Sequence, residues 1–84
     1  MSFKEKVLTV VRNIPKGETM SYSQVAQKAG SPGAARAVGT IMAHNDDVSV
    51  SCHRVIRSDR SVGPYNGLRG KTKLELLQEE GVNI

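Results

Sequence analysis

Apolar residues recur at helical spacing from the first turn of the chain. In SFKEKVLTVVRNI, Phe3, Val7, Val10, Val11 and Ile14 fall on one face, and Ser2 followed three residues later by Glu5 has the pattern of a capping box. This predicts a first helix that stops near Pro15, then a turn in PKGETM. SYSQVAQKAG predicts a second helix of barely two turns, opened by Ser21 or Ser23 and closed by Gly30. SPGAARAVGTIMAHN predicts a third, with Ser31 as N-cap, Pro32 at the first helical position, and Ala35, Val38 and Met42 as an inward stripe. Gly39 is costly inside a helix, which implies close approach of another backbone.

After Asn45 the period changes. VSVS and RVIRS alternate as strands do, with SDRS as a tight turn before SVG, which predicts a small hairpin. GPYNGLRG is a loop by composition. KTKLELLQEEGVNI predicts a last helix with a Thr72/Glu75 capping box, Leu74 and Leu77 facing inward, and Gly81 at its end. The predicted fold class is mostly α with a small β-hairpin: a winged helix-turn-helix, in which the Gly-Ser-Pro-Gly turn joins the two short helices. Residues 1–84 read as a single domain, without internal repeat or linker.

Composition narrows what holds such a domain together. In 84 residues with no Trp, three aromatics and one cysteine, stability must come from aliphatic packing between capped helices, with no disulfide or zinc-ligand spacing to help. A lone cysteine without a secretory signal or a bilayer-length apolar run predicts a soluble, cytoplasmic monomer with no membrane association. The net charge of +4 is uneven. Residues 31–73 carry seven bases and three acids, and 74–84 carry three acids and no base. A basic body with an acidic tail fits a polyanionic partner.

The candidate chemistry sits in SVSCHRVIRSD, where Cys52 adjoins His53. A free thiol, with a pKa of about 8.5, needs a neighbour to take or balance its proton before it becomes a nucleophile. His53 is such a neighbour, provided the backbone turns between the two, because consecutive side chains of a regular strand point to opposite faces. The alternative is a cysteine buried purely as packing.

SCHRVIRSD resembles the PCHRV active-site signature of the O6-alkylguanine-DNA alkyltransferases. The resemblance extends upstream through GETMSYSQVAQKAGSPGAARAVGTIMAHN and downstream through SVGPYNGL and LLQEEG, with the order of the motifs intact. It implies a repair protein that flips O6-alkylguanine out of double-stranded DNA from the minor groove and moves the alkyl group irreversibly onto Cys52, without metal or organic cofactor. By the same resemblance His53 is the base acting through a water, Glu80 orients and charges it, and Asn45 ties the active-site turn to the end of the recognition helix. Tyr22 presses on the flanking phosphate and donates a proton toward guanine. Arg36 fills the gap in the base stack, Ala35 and Gly39 allow close approach to the groove, and Arg54, Tyr65 and Asn66 join the DNA or substrate contacts.

Four features depart from the family pattern. Ser51 stands where proline is usual, the segment from Asn45 to Cys52 is one residue short, Asp46 and Asp47 replace a mainly proline and apolar stretch, and the family's N-terminal domain is not among these 84 residues. The competing readings are an alkyltransferase-like lesion binder that recruits excision-repair proteins without chemistry, and a plain helix-turn-helix transcription factor.

Overall fold

Each predicted capping box forms. In the computed structural model, which describes residues 2–47, 49–58, 70 and 72–82, helix α1 spans Phe3–Arg12, with the Ser2 hydroxyl accepting from Glu5 N–H and the Glu5 carboxylate accepting from Ser2 N–H. Helix α2, Tyr22–Lys28, is opened by the same reciprocal pair between Ser21 and Gln24, which settles Ser21 over Ser23 as the cap. Helix α4, Lys73–Glu79, is opened by Thr72 and Glu75. Among the described residues the protein is mostly helical with one small two-stranded sheet.

Helix α3 begins later than the sequence predicts. It runs Ala35–Ala43 from Ala34, which makes no side-chain cap, whereas Ser31 and Pro32 lie in the preceding turn. The reason is that Ser31 is already committed: its N–H closes α2 onto the Ala26 carbonyl at 2.9 Å, and its carbonyl accepts from Ala34 N–H at 3.0 Å. Residues 31–34 are used in reversing the chain, and only then is the backbone free to wind. The α2–turn–α3 pair packs together as a helix-turn-helix.

The strands also differ from the prediction. Residues 49 and 50 form a turn and a bend, and β1 (Met20–Ser21) pairs in parallel with β2 (Val55–Ile56), Met20 opposite Val55. The hairpin's second arm, SVG, lies outside the described residues, as do Tyr65 and Asn66. In this parallel pairing, β1 and β2 bring the start of α2 beside the segment that follows Cys52. The core between them is aliphatic, with Val7, Val11, Val25, Val38, Val50 and Val55 fully buried.

Helix α4 is rotated about one position from the prediction. Leu77 is fully buried, but Leu74 is 41% exposed and Lys73 only 3%. Residues 73 and 77 share a face at i, i+4 spacing, so the buried stripe passes through the lysine. A second small cluster of Ile56, Leu77 and Val82 fastens α4 to β2.

Ser21 both caps α2 and pairs in β1, immediately before Tyr22. Replacing it with alanine removes the hydroxyl acceptor of Gln24 N–H and is expected to destabilise the fold by about 1 kcal/mol, measured as a lower urea midpoint at unchanged m-value.

Candidate active site

Two tight turns in succession aim the cysteine. The Asp47 carbonyl accepts from Val50 N–H at 3.0 Å, and Asn45 closes this loop, its Nδ2 donating to the Asp47 carbonyl at 3.1 Å and to that of Val50 at 3.5 Å. Ser51, at φ −80° and ψ 61°, then forms an inverse γ-turn, with Cys52 N–H donating to the Val50 carbonyl at 2.8 Å. The shortened segment is therefore a folded loop rather than a strand, and side-chain alternation does not govern it. Cys52–Arg54 follow as one turn of 3-10 helix, in which successive side chains diverge by about 120° instead of facing opposite ways.

That divergence gives Cys52 and His53 different surroundings on one turn. Cys52 is 4% exposed and lines a cavity of about 900 Å³ whose wall includes Tyr22, Ala35, Arg36 and Gly39. Four residues singled out in the sequence thus meet the thiol in one space. At Gly39 a built Cβ would meet the Tyr22 ring at 4.0 Å, ordinary contact, so among the described residues no neighbouring helix backbone packs on the glycine and it faces the cavity. Arg36 is exposed at the cavity mouth in the first turn of α3, where the macrodipole opposes its charge.

His53 is 1% exposed, and its Nε2 lies 2.9 Å from Glu80 Oε2. Glu80 is at the C-cap of α4. Gly81, at φ +88°, closes that helix, and Val82 N–H returns to the Leu77 carbonyl at 3.0 Å, a Schellman ending that only a residue tolerant of left-handed backbone completes at low cost. On the other side Gly17 is also left-handed, and a Cβ there would sit 3.2 Å from the Glu80 carbonyl oxygen. Two glycines therefore hold the acid in place.

Arg54, for which the resemblance implied a DNA or substrate contact, faces inward. Its Nε donates to Glu80 Oε1 at 2.9 Å, its Nη2 to Oε2 at 2.7 Å, and its Nη1 to the Ile14 carbonyl at 2.8 Å and the Ser51 hydroxyl at 3.0 Å. The Arg54 side chain is 14% exposed and divides its donors between the carboxylate and these two anchors. These bonds to Arg54, with His53 adding to them, lower the Glu80 pKa to about 2. An ionised Glu80 can only accept, so Nε2 of His53 donates its hydrogen to it.

Lys73 is a site residue that the sequence reading passed over. Its ammonium donates to the Tyr22 hydroxyl at 3.3 Å and stands 5.4 Å from the centre of that ring. Burial pulls its pKa down to about 8, despite the opposing influence of Cys52, and burial likewise raises that of Tyr22. The available signal was positional: like Arg36, Lys73 is a base in the first turn of a helix, where the macrodipole disfavours it. Among the described residues no group of three or more His, Cys, Asp or Glu side chains could hold a metal ion.

A thiol in the wall of a cavity, a histidine–carboxylate pair on the adjoining side chain and a helix-turn-helix lining the same cavity define the class: a helical domain built around a single cysteine. Comparison with known proteins agrees. The DNA-binding domain of 6-O-methylguanine DNA methyltransferase matches residues 2–82, and the chain belongs to this family. It is 46% identical over 83 residues to the mouse methylated-DNA–protein-cysteine methyltransferase, covering 96% of this chain and 39% of that one. The Methanothermobacter thermautotrophicus protein of the same name is 42% identical over 83 residues, covering 98% and 46%. The chain therefore spans roughly two fifths to half the length of these relatives. Among solved structures, Mycobacterium tuberculosis OGT in complex with DNA superposes with a TM-score of 0.79 at 40% identity, over 95% of this chain and 51% of that one. S. pombe Atl1, in complex with damaged DNA containing O6-carboxymethylguanine, superposes with a TM-score of 0.85 at 34% identity, over 98% of this chain and 78% of that one.

Two stability measurements check these electrostatics. Glu80 titrates near 2 in the folded chain against an ordinary value of 4.5, so its contribution is present above pH 4.5 and is lost as pH falls toward 2. Urea unfolding from pH 7 to pH 3 is expected to lose about 2–3 kcal/mol in the native chain, with a smaller acid-dependent loss in Glu80→Gln. Lys73 has the opposite sense: its folded-state pKa of about 8 lies below 10.5, so keeping the ammonium buried costs stability at pH 7. Lys73→Met is expected to raise stability at pH 7 by about 1–3 kcal/mol, the advantage shrinking as pH rises toward 10.

Proposed function

We propose that this chain is the working domain of a DNA-repair alkyltransferase, which takes O6-alkylguanine out of a duplex and transfers the alkyl group to Cys52. The observation that carries the reading is the shared cavity of Cys52, Tyr22 and Arg36, with the His53–Glu80 pair on the adjoining side chain of the same turn. The names of its relatives, methylated-DNA–protein-cysteine methyltransferases, point the same way.

The oxygen to be released lies inside a base-paired duplex, where a thiol has no line of attack, so the nucleotide must rotate out at a cost of a few kcal/mol. Arg36, exposed at the cavity mouth, is placed to fill the gap that the base leaves. The small side chains of α3 that face the same way, Ala35 and Gly39, suit a helix entering the minor groove.

In the chemical step His53 Nδ1 takes the thiol proton through a bridging water. The sulfur attacks the alkyl carbon, a C–S bond forms, and the carbon–O6 bond breaks with its electron pair left on guanine. Tyr22, its hydroxyl hydrogen-bonded to the Lys73 ammonium, supplies the proton that neutralises the departing base, and the proton held on the imidazole balances the sum. A thioether has no good leaving group, so each protein molecule acts once.

One observation favours a second reading. The superposition on Atl1 has the higher TM-score of the two and covers far more of that partner's length than the superposition on OGT does. In this reading the chain binds the same lesion without transfer and recruits excision-repair proteins.

Incubation with duplex DNA containing O6-methylguanine, followed by intact-mass measurement, decides between them. Transfer is expected to add the mass of one methylene to the native chain and none to Cys52→Ala, and His53→Ala is expected to slow it by about 10²-fold or more while lesion binding persists. Tight, lesion-selective binding at unchanged mass would support the second reading, and unchanged mass with equal affinity for damaged and undamaged DNA would sink both.

A further inference from the structure

Glu80 serves two partners at once. Its Oε2 lies 2.9 Å from His53 Nε2 and 2.7 Å from Arg54 Nη2, while Oε1 accepts from Arg54 Nε at 2.9 Å. In a catalytic relay of histidine and acid, a bare buried carboxylate strongly favours the imidazolium, since an opposite charge within about 4–6 Å moves a titration by roughly 1–3 pH units. A histidine that is already protonated cannot take a proton from a thiol. The carboxylate that orients the ring thus threatens to disable it as a base.

We infer that Arg54 is a positioning residue that keeps His53 basic: by pairing across both oxygens of Glu80 it cancels much of the carboxylate's charge at the imidazole, while leaving Oε2 to fix the ring's orientation. The geometry supports a permanent assignment. The guanidinium is clamped from its far side by the Ile14 carbonyl at 2.8 Å and the Ser51 hydroxyl at 3.0 Å, so it cannot swing away to another anion without breaking four hydrogen bonds. The Ser51 anchor is one that a proline at this position could not provide.

Lys73 of α4 and Arg57, just past β2, bear on Tyr22 of α2, and Lys73 also on Cys52. Among the described residues, Glu80 acts on His53 through a hydrogen bond and Arg54 through the shared carboxylate. Ionisation of Glu80 is itself secured by Arg54, so the same pairing that fixes the acceptor also limits its pull.

This inference rests on the reading of His53 as the base for Cys52, but its test reads the imidazole in DNA-free protein and needs no alkyl transfer. The ring nitrogens of His53 are followed by 15N NMR from pH 5 to pH 9, with His44→Ala used to assign the signals. In the native chain His53 is expected to be neutral at pH 7, protonated on Nε2 alone. In Arg54→Gln it is expected to take up its second proton at a pH higher by about one unit or more, and Arg54→Lys, which keeps the charge but loses the fork, is expected to fall between. An unchanged titration in folded Arg54→Gln overturns the inference. So does a native ring carrying two protons at pH 7, a result that stands even where the glutamine variant fails to fold. A chain that shows the expected titration yet gains no mass on alkylated DNA would keep this inference and lose the transferase reading.

Discussion

The carboxylate of Glu80 is the point on which the site and the fold both depend. It sits at the C-cap of α4, where the helix dipole already disfavours negative charge, and it is largely withdrawn from water. Such a group is tolerable only with its hydrogen bonds filled, and Arg54 and His53 fill them. Through Arg54 the same contact reaches the Ile14 carbonyl after α1 and the hydroxyl of Ser51 before the cysteine. One ion pair therefore ties residues near positions 14, 51–54 and 80, which are far apart in the chain.

The placement of the thiol follows from backbone turns rather than from any single side chain. At φ −80°, Ser51 occupies a value that a proline ring would also permit, so the inverse γ-turn before Cys52 does not require proline. What serine contributes instead is a hydroxyl, and Arg54 uses it. The loop closed by Asn45 delivers Val50 to the core and leaves Cys52 at the cavity wall.

Much of the architecture was legible in the sequence because it is local. The two predicted capping boxes join residues three apart, and the buried positions of α1 follow a 3.6-residue period, so neither needs knowledge of the rest of the chain. The late start of α3 was not legible, because the bonds that commit Ser31 belong to the ending of α2 and to the turn itself. The parallel pairing of Met20–Ser21 with Val55–Ile56 joins segments some 35 residues apart, and strand alternation carries no information about which partner is chosen. The burial of Lys73 and exposure of Leu74 reverse the order that hydrophobicity predicts, since the lysine's partner, Tyr22, is 51 positions away.

For the site, the sequence by itself determined the chemical types: a thiol beside an imidazole, an acid before a helix-ending glycine, and bases in the first turns of two helices. Only the tertiary structure decided their roles. It turned Arg54 inward onto Glu80, brought Lys73 under Tyr22, and gathered Tyr22, Arg36 and Cys52 around one cavity. The physical reason is range: propensity and capping act over three or four residues, whereas charge pairing and cavity formation depend on which distant segments the packed core brings within hydrogen-bonding distance.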